Sequence, residues 1–167
     1  MVLPELQKSN EGSPSLYIRQ GPLPDEQSID WYHDWKDRNT IYLRFGHIDD
    51  KYILEFPDLS FFSVSLNDMT IEYHTSSHVP PESIRHLLLD QVIPRTLGQL
   101  GRLVLHASAI KLTDGTGIAF LGDSGWGKST LASSFLESGG QHISDDCLLI
   151  EKNANTLTGT NSYRGVR

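Results

Sequence analysis

The chain has 167 residues, of which 38% are hydrophobic and 21% charged, a composition that can bury a core in one domain or one and a small annex. Its formal charge of −7 and lack of clustered Lys and Arg exclude nucleic acid as the main partner. No apolar run is long enough to span a bilayer, and the opening "MVLPELQKSNEGSPS" has no signal-peptide core, so no membrane partner and a cytoplasmic location are expected. The single cysteine, Cys147, excludes an internal disulfide and suits a reducing compartment as a small buried strand residue.

Residues 1 to about 14 and 21 to 29 are rich in Pro, Ser, Glu and Gly and read as a tail and a loop around one short strand, "SLYIR". From 40 to 74 the segments "TIYLRF", "KYILEF", "FFSVSL" and "MTIEYH" are short, aromatic or β-branched, and separated by turn residues. They predict an antiparallel meander, with the aromatics of "WYHDW" (31–35) packing on it rather than caging a ligand. In "PPESIRHLLLDQVIPRTLGQLG" the apolar residues fall at helical spacing, Pro80 and Pro81 suit a helix start, and Pro94 should kink or divide the helix. The chain thus divides into a β-rich region, 1–79, and an α/β core, 80–167.

Two apolar runs then flank Asp114-Gly115, a two-residue hairpin signal. That turn predicts that Ala109 faces Phe120 and that His106 faces Asp123. A helix, "KSTLASSFLES", should follow, stopped by Gly139-Gly140, and "QHISDDCLLI" reads as one further strand.

Between the hairpin and the helix lies "GDSGWGKST", which fits G-x-x-x-x-G-K-[ST] through Gly122, Gly127, Lys128 and Ser129. Glycines let the backbone curl so that several N–H groups point at one anion, and the following helix offers unpaired N–H groups and the positive end of its dipole. Gly122, Asp123, Ser124, Gly125, Trp126, Gly127, Lys128, Ser129 and Thr130 are the candidate nucleotide-binding residues. Lys128 should reach the β- and γ-phosphates and the Ser129 hydroxyl should hold Mg²⁺. Trp126 either stacks on something or covers the loop.

Asp145 and Asp146, amid "HIS" and "CLLI", are costly to bury without a cation or hydrogen bonds, and Mg²⁺ is the obvious cation. Neighbours on a strand point to opposite faces, so the two acids should divide labour, one on the metal and the other taking a proton from an attacking hydroxyl. His106 either orients a catalytic acid, touches phosphate or is structural. The histidines at 33, 47, 74, 78, 86 and 142 form no tight ligand set.

Together "LHASAI", the hairpin, "GIAFLGDSGWGKSTLA", "ESGG" and "ISDDCLLI" resemble the kinase domain of the HPr kinase/phosphorylase family. They are more similar still to the stand-alone HPr-kinase-like serine kinases of bacteria, some of which modify peptide precursors in lasso-peptide biosynthesis. The resemblance covers residues 103–151. It implies a mixed-sheet, carboxykinase-type P-loop core, here preceded by the antiparallel β-rich region. It implies a transferase reaction, ATP-dependent phosphorylation of a serine hydroxyl on a peptide or small protein. Carried over, residues 122–129 bind the triphosphate, Lys128 acts on it, Asp145 is the base, Asp146 and Ser129 are the metal partners, and His106 supports the γ-phosphate.

The chain departs from the family after the Asp-Asp strand. "TNSYRGVR" has Tyr163 before Arg164 where the family has a glutamate before Arg-Gly, and the chain reads as a truncated piece. An uncovered edge on the P-loop strand would then invite a homo-oligomer or leave the site open to water. The alternatives are a small-molecule phosphotransferase and a nucleotide-binding regulatory module without chemistry.

Overall fold

The structure, a computed structural model, describes residues 16–161. The tail before Leu16 and the segment around Tyr163 and Arg164 lie outside the described residues. The chain is mixed α/β, mostly strand with few helices, and forms two compact units whose division falls between Leu88 and Leu89.

In the first unit, β1 (Tyr17–Gln20), β2 (Asp30–Asp37), β3 (Thr40–Ile48), β4 (Lys51–Phe56), β5 (Ser60–Ser65) and β6 (Thr70–Thr75) form a six-stranded sheet in the order β1-β6-β5-β4-β3-β2. The four predicted segments are β3 to β6, and every pairing from β2 to β6 is antiparallel. The exception is β1, which runs parallel to β6, so the sheet is not antiparallel throughout. Alternation sets Leu43, Leu54, Phe62, Val64 and Ile71 on one buried face. The other face carries ion pairs around the buried Ile53: Arg44 donates to Glu55 at 3.0 Å and lies 3.9 Å from the centroid of the Trp31 ring, while Arg19 pairs with Glu72 at 2.8 Å. The "WYHDW" stretch is therefore itself an edge strand. Trp31 stacks on Arg44, whereas Tyr32 and Trp35 stay about half-exposed.

The predicted helix is divided at Pro94. It comprises α1 (Pro81–Leu87), a π-helical turn (Leu88–Val92) and α2 (Ile93–Gln99). Proline cannot donate to the carbonyl four residues back and its ring crowds that carbonyl, so the ladder widens just before it. That carbonyl, Asp90 O, instead receives the Cys147 thiol at 3.9 Å.

The second unit holds β7 (Leu103–Lys111), β8 (Gly117–Leu121), α3 (Lys128–Leu136), β9 (Gln141–Ser144), β10 (Cys147–Asn153) and β11 (Thr156–Asn161). β7 is the central strand. β8 lines one side of it, while β10 and β9 share the other, the first along Leu103–His106 and the second along Ala109–Lys111. β11 pairs with β10. A mixed sheet is expected, yet among the described residues every pairing here is antiparallel, because β7 separates β8 from β9. Within the described residues β8 pairs with β7 alone.

The β7–β8 hairpin corrects the expected register by one residue. Ala109 faces Ala119 and Ser108 faces Phe120. The loop is three residues long rather than two. Leu112 N donates to Thr116 O at 2.8 Å, Gly115 N to Leu112 O at 3.0 Å, and Gly115 takes φ +91°. A turn followed by a left-handed glycine is the ordinary three-residue hairpin. Asp114 Oδ1 accepts from Thr116 N at 2.8 Å, and this bond holds the Asp114 carboxyl below its usual range.

α3 ends where Gly139-Gly140 predicts. Gly139 at φ +88° lets its N–H reach Leu136 O at 3.0 Å and lets Gly140 N reach Phe135 O at 3.0 Å. Phe135 meets Phe120 of β8 with ring centroids 5.8 Å apart, which docks α3 on the face that carries Phe120 and Ser108. Among the described residues no helix is long and apolar enough to cross a membrane.

Candidate phosphate-transfer site

The loop between β8 and α3 is built around left-handed glycines. Gly125 and Gly127 take φ +82° and +81°, and Gly122 takes φ +153°. Gly127 caps α3, and its carbonyl receives the first intrahelical bond from Leu131 N at 2.8 Å. Lys128 Nζ folds back into the curl and donates to Gly122 O at 2.8 Å and Asp123 O at 2.9 Å. The ammonium thus sits inside the loop, hydrogen-bonded to two of its carbonyls. Asp123, Ser124, Ser129 and Thr130 are exposed around the loop. Trp126 lies against Gly122, where a Cβ would be 3.4 Å from its ring, and the residue as a whole is 76% exposed.

The acids stand across β7 from this loop. Leu121, the last residue of β8, pairs with Ala107, and Ala107 N donates to Asp146 O at 3.2 Å. The loop's start and Asp146 are therefore two strand spacings apart, about 10 Å. β8 and β9 both run antiparallel to β7, so the loop and the acids leave the sheet at the same end.

The single strand expected over "QHISDDCLLI" is broken at Asp145-Asp146, which lie in a bend between β9 and β10. Alternation along a strand is therefore not what separates the two carboxylates, and that argument for divided labour fails. What shapes the bend is a set of bonds to its carbonyls. Asp145 O accepts from the buried Ser108 Oγ at 3.4 Å, and Asp146 O lies 3.0 Å from His106 Nδ1. Cys147 O accepts from the buried Ser144 Oγ at 2.9 Å. Serine hydroxyls on a strand give no sign in the sequence that they will hold a neighbouring bend, and neither was legible there.

His106 pairs with Cys147 of β10, and continuing the β7–β8 register sets it level with Gly122 rather than Asp123. A carbonyl only accepts, so His106 Nδ1 donates to Asp146 O. Its ring therefore ties the acid bend to the strand beside the loop.

His142 was also missed by sequence reasoning. Its Nε2 lies 3.2 Å from Asp145 Oδ2, with both side chains about one-third exposed. Residues three apart on a regular strand face opposite ways. Here Ser144 pairs with Ala109 but His142 with Ile110, so β9 carries one extra residue, Ile143. The bulge turns His142 to the face of Ile110, and from there its ring reaches Asp145. His142 pairs with Ile110, and Ser108 and Ile110 share the face on which α3 packs.

Mg²⁺ takes oxygen ligands and leaves part of its shell to phosphate and water. The Ser129 hydroxyl and the Asp146 carboxylate are donors of that kind. Among the described residues no group of three or more His, Cys, Asp or Glu is arranged to hold a metal. No protein-family model, curated protein or solved structure matches the chain.

Proposed function

We propose that the chain is an ATP-dependent serine kinase of the HPr-kinase-like type, transferring a γ-phosphoryl group to a serine hydroxyl of a peptide or small protein. The observation that carries this reading is Lys128, whose ammonium lies within hydrogen-bond reach of Gly122 O and Asp123 O inside a loop of left-handed glycines at a helix start. Such a loop offers N–H groups and a charge to a polyphosphate and little to any other ligand. Binding alone needs no proton acceptor, and the bonded bend beyond β7 supplies one.

In this reading the backbone from Gly122 to Lys128 cradles the phosphates and Lys128 moves from its carbonyls to the β- and γ-oxygens. Asp145 takes the proton of the serine hydroxyl as the oxygen attacks phosphorus and the bond to the departing ADP breaks. His106 steadies the bend that carries Asp145. Mg²⁺, held by Ser129 and Asp146, would offset charge on the phosphate oxygens. A reducing, ATP-rich cytoplasm is the matching setting, with Cys147 a free thiol.

The test is calorimetric titration with ATP–Mg²⁺, followed by incubation with γ-labelled ATP and a panel of serine peptides, small proteins and small alcohols. Labelled phosphoserine on a peptide or protein supports the reading. Label only on small alcohols makes the chain a small-molecule phosphotransferase, and binding without transfer makes it a nucleotide-binding module.

A further inference from the structure

We infer that His142 is a positioning residue for Asp145, holding one carboxylate oxygen so that the other faces the acceptor hydroxyl; this rests on the kinase reading of the site. A carboxylate serves as a general base only if its lone pair points at the proton in transit, and a free aspartate side chain samples several rotamers. Here both ends of the residue are tied. Ser108 Oγ holds Asp145 O, and His142 Nε2 sits 3.2 Å from Oδ2. The pair lies at ion-pair distance, with both side chains about one-third exposed. Oδ1 then remains to take the proton.

The bulge at Ile143 indicates that the contact is built rather than incidental. Without the extra residue, His142 would share the face of Ser144 and Ala109 instead of that of Ile110. A bulge interrupts the ladder with β7 and leaves one residue unpaired, a cost that a plain strand of the same sequence length would avoid. Bulges are enriched where a strand must re-aim a side chain. Here the side chain re-aimed is an imidazole, and it meets the Asp145 carboxylate. Losing an ion-pair contact that matters only as the proton moves should slow transfer without weakening nucleotide binding.

The experiment compares wild type with H142L, which has no donor, and H142Q, whose amide N–H can reach the same oxygen. ATP–Mg²⁺ affinity is read by calorimetry and ATP turnover by phosphate release, with water as acceptor. Expected is a loss of roughly ten- to a hundredfold in kcat for H142L at unchanged KM and Kd, most of it restored in H142Q. Ring ¹⁵N–¹H spectra supply a readout independent of turnover: the His142 proton should reside on Nε2 in wild type, and its signals should shift in D145N. A flat wild-type titration overturns the kinase reading and this role with it. Normal ATP binding with H142L turning over at the wild-type rate, H142Q as slow as H142L, or ring signals indifferent to D145N overturns the role alone.

Discussion

Ser144 Oγ donates to Cys147 O at 2.9 Å and so closes the chain around Asp145 and Asp146. The serine is 1% exposed, and the bond spans the two residues to which the kinase reading assigns the chemistry. Ser144→Ala should destabilise the second unit by about 1–3 kcal/mol, the usual cost of leaving a buried carbonyl without its partner. It should also loosen the acid bend. Urea unfolding followed by turnover assays checks both, and a variant as stable and as active as wild type would show that the bend stands without the serine.

Lys128 makes charge-assisted contacts that no neighbour replaces. Lys128→Ala should lower ATP–Mg²⁺ affinity about ten- to a hundredfold, the equivalent of about 1.5–3 kcal/mol, with unchanged circular dichroism. Equal dissociation constants by calorimetry would remove the phosphate-cradle reading.

The two acids should separate on substitution. Asp145→Asn should keep ATP binding and lose phosphoryl transfer, because an amide cannot accept the hydroxyl proton. Asp146→Asn should instead raise the Mg²⁺ concentration needed for half-maximal activity. Assays across Mg²⁺ concentrations distinguish them, and identical behaviour would make the acids one functional unit.

Asp114 should titrate below an ordinary aspartate in the folded chain, since the Thr116 N–H stabilises its charged form. A depressed folded value means the native state binds this proton less readily than the unfolded chain does. The hairpin's gain is then present above the unfolded value, about 3.9, and is lost as pH falls through the lower folded one. Carbon NMR of the carboxyl across acid pH measures the midpoint, and an ordinary or raised value would contradict it.

Exposed Trp126 against Gly122 offers a direct optical test of the loop. Its fluorescence should change on adding ATP–Mg²⁺ and should respond far less in Lys128→Ala, whose loop no longer holds the phosphates. An emission spectrum that ignores nucleotide while calorimetry shows binding would place the phosphates away from the Gly122 side of the loop.

Local chemistry determined much of this protein from the sequence alone. The β3 to β6 meander follows from alternation and turn residues, and the end of α3 from Gly139. The division of the long helix follows from what Pro94 cannot donate, and the loop from the spacing of Gly122, Gly127 and Lys128. Each depends on residues a few positions apart, so a linear reading suffices. The tertiary structure decided the rest. Asp114-Gly115 was legible as a turn, but whether the loop held two residues or three depended on Leu112 and Thr116 closing it, and that one residue reset every partner along β7. The bend at Asp145-Asp146 is held by Ser108 and His106 from a strand nearly forty residues earlier. The meeting of His142 with Asp145 depends on a bulge against Ile110, which changes the side to which a side chain points without leaving any mark in the composition of β9. Strand parity is a property of pairing, and pairing is made between segments distant in the chain.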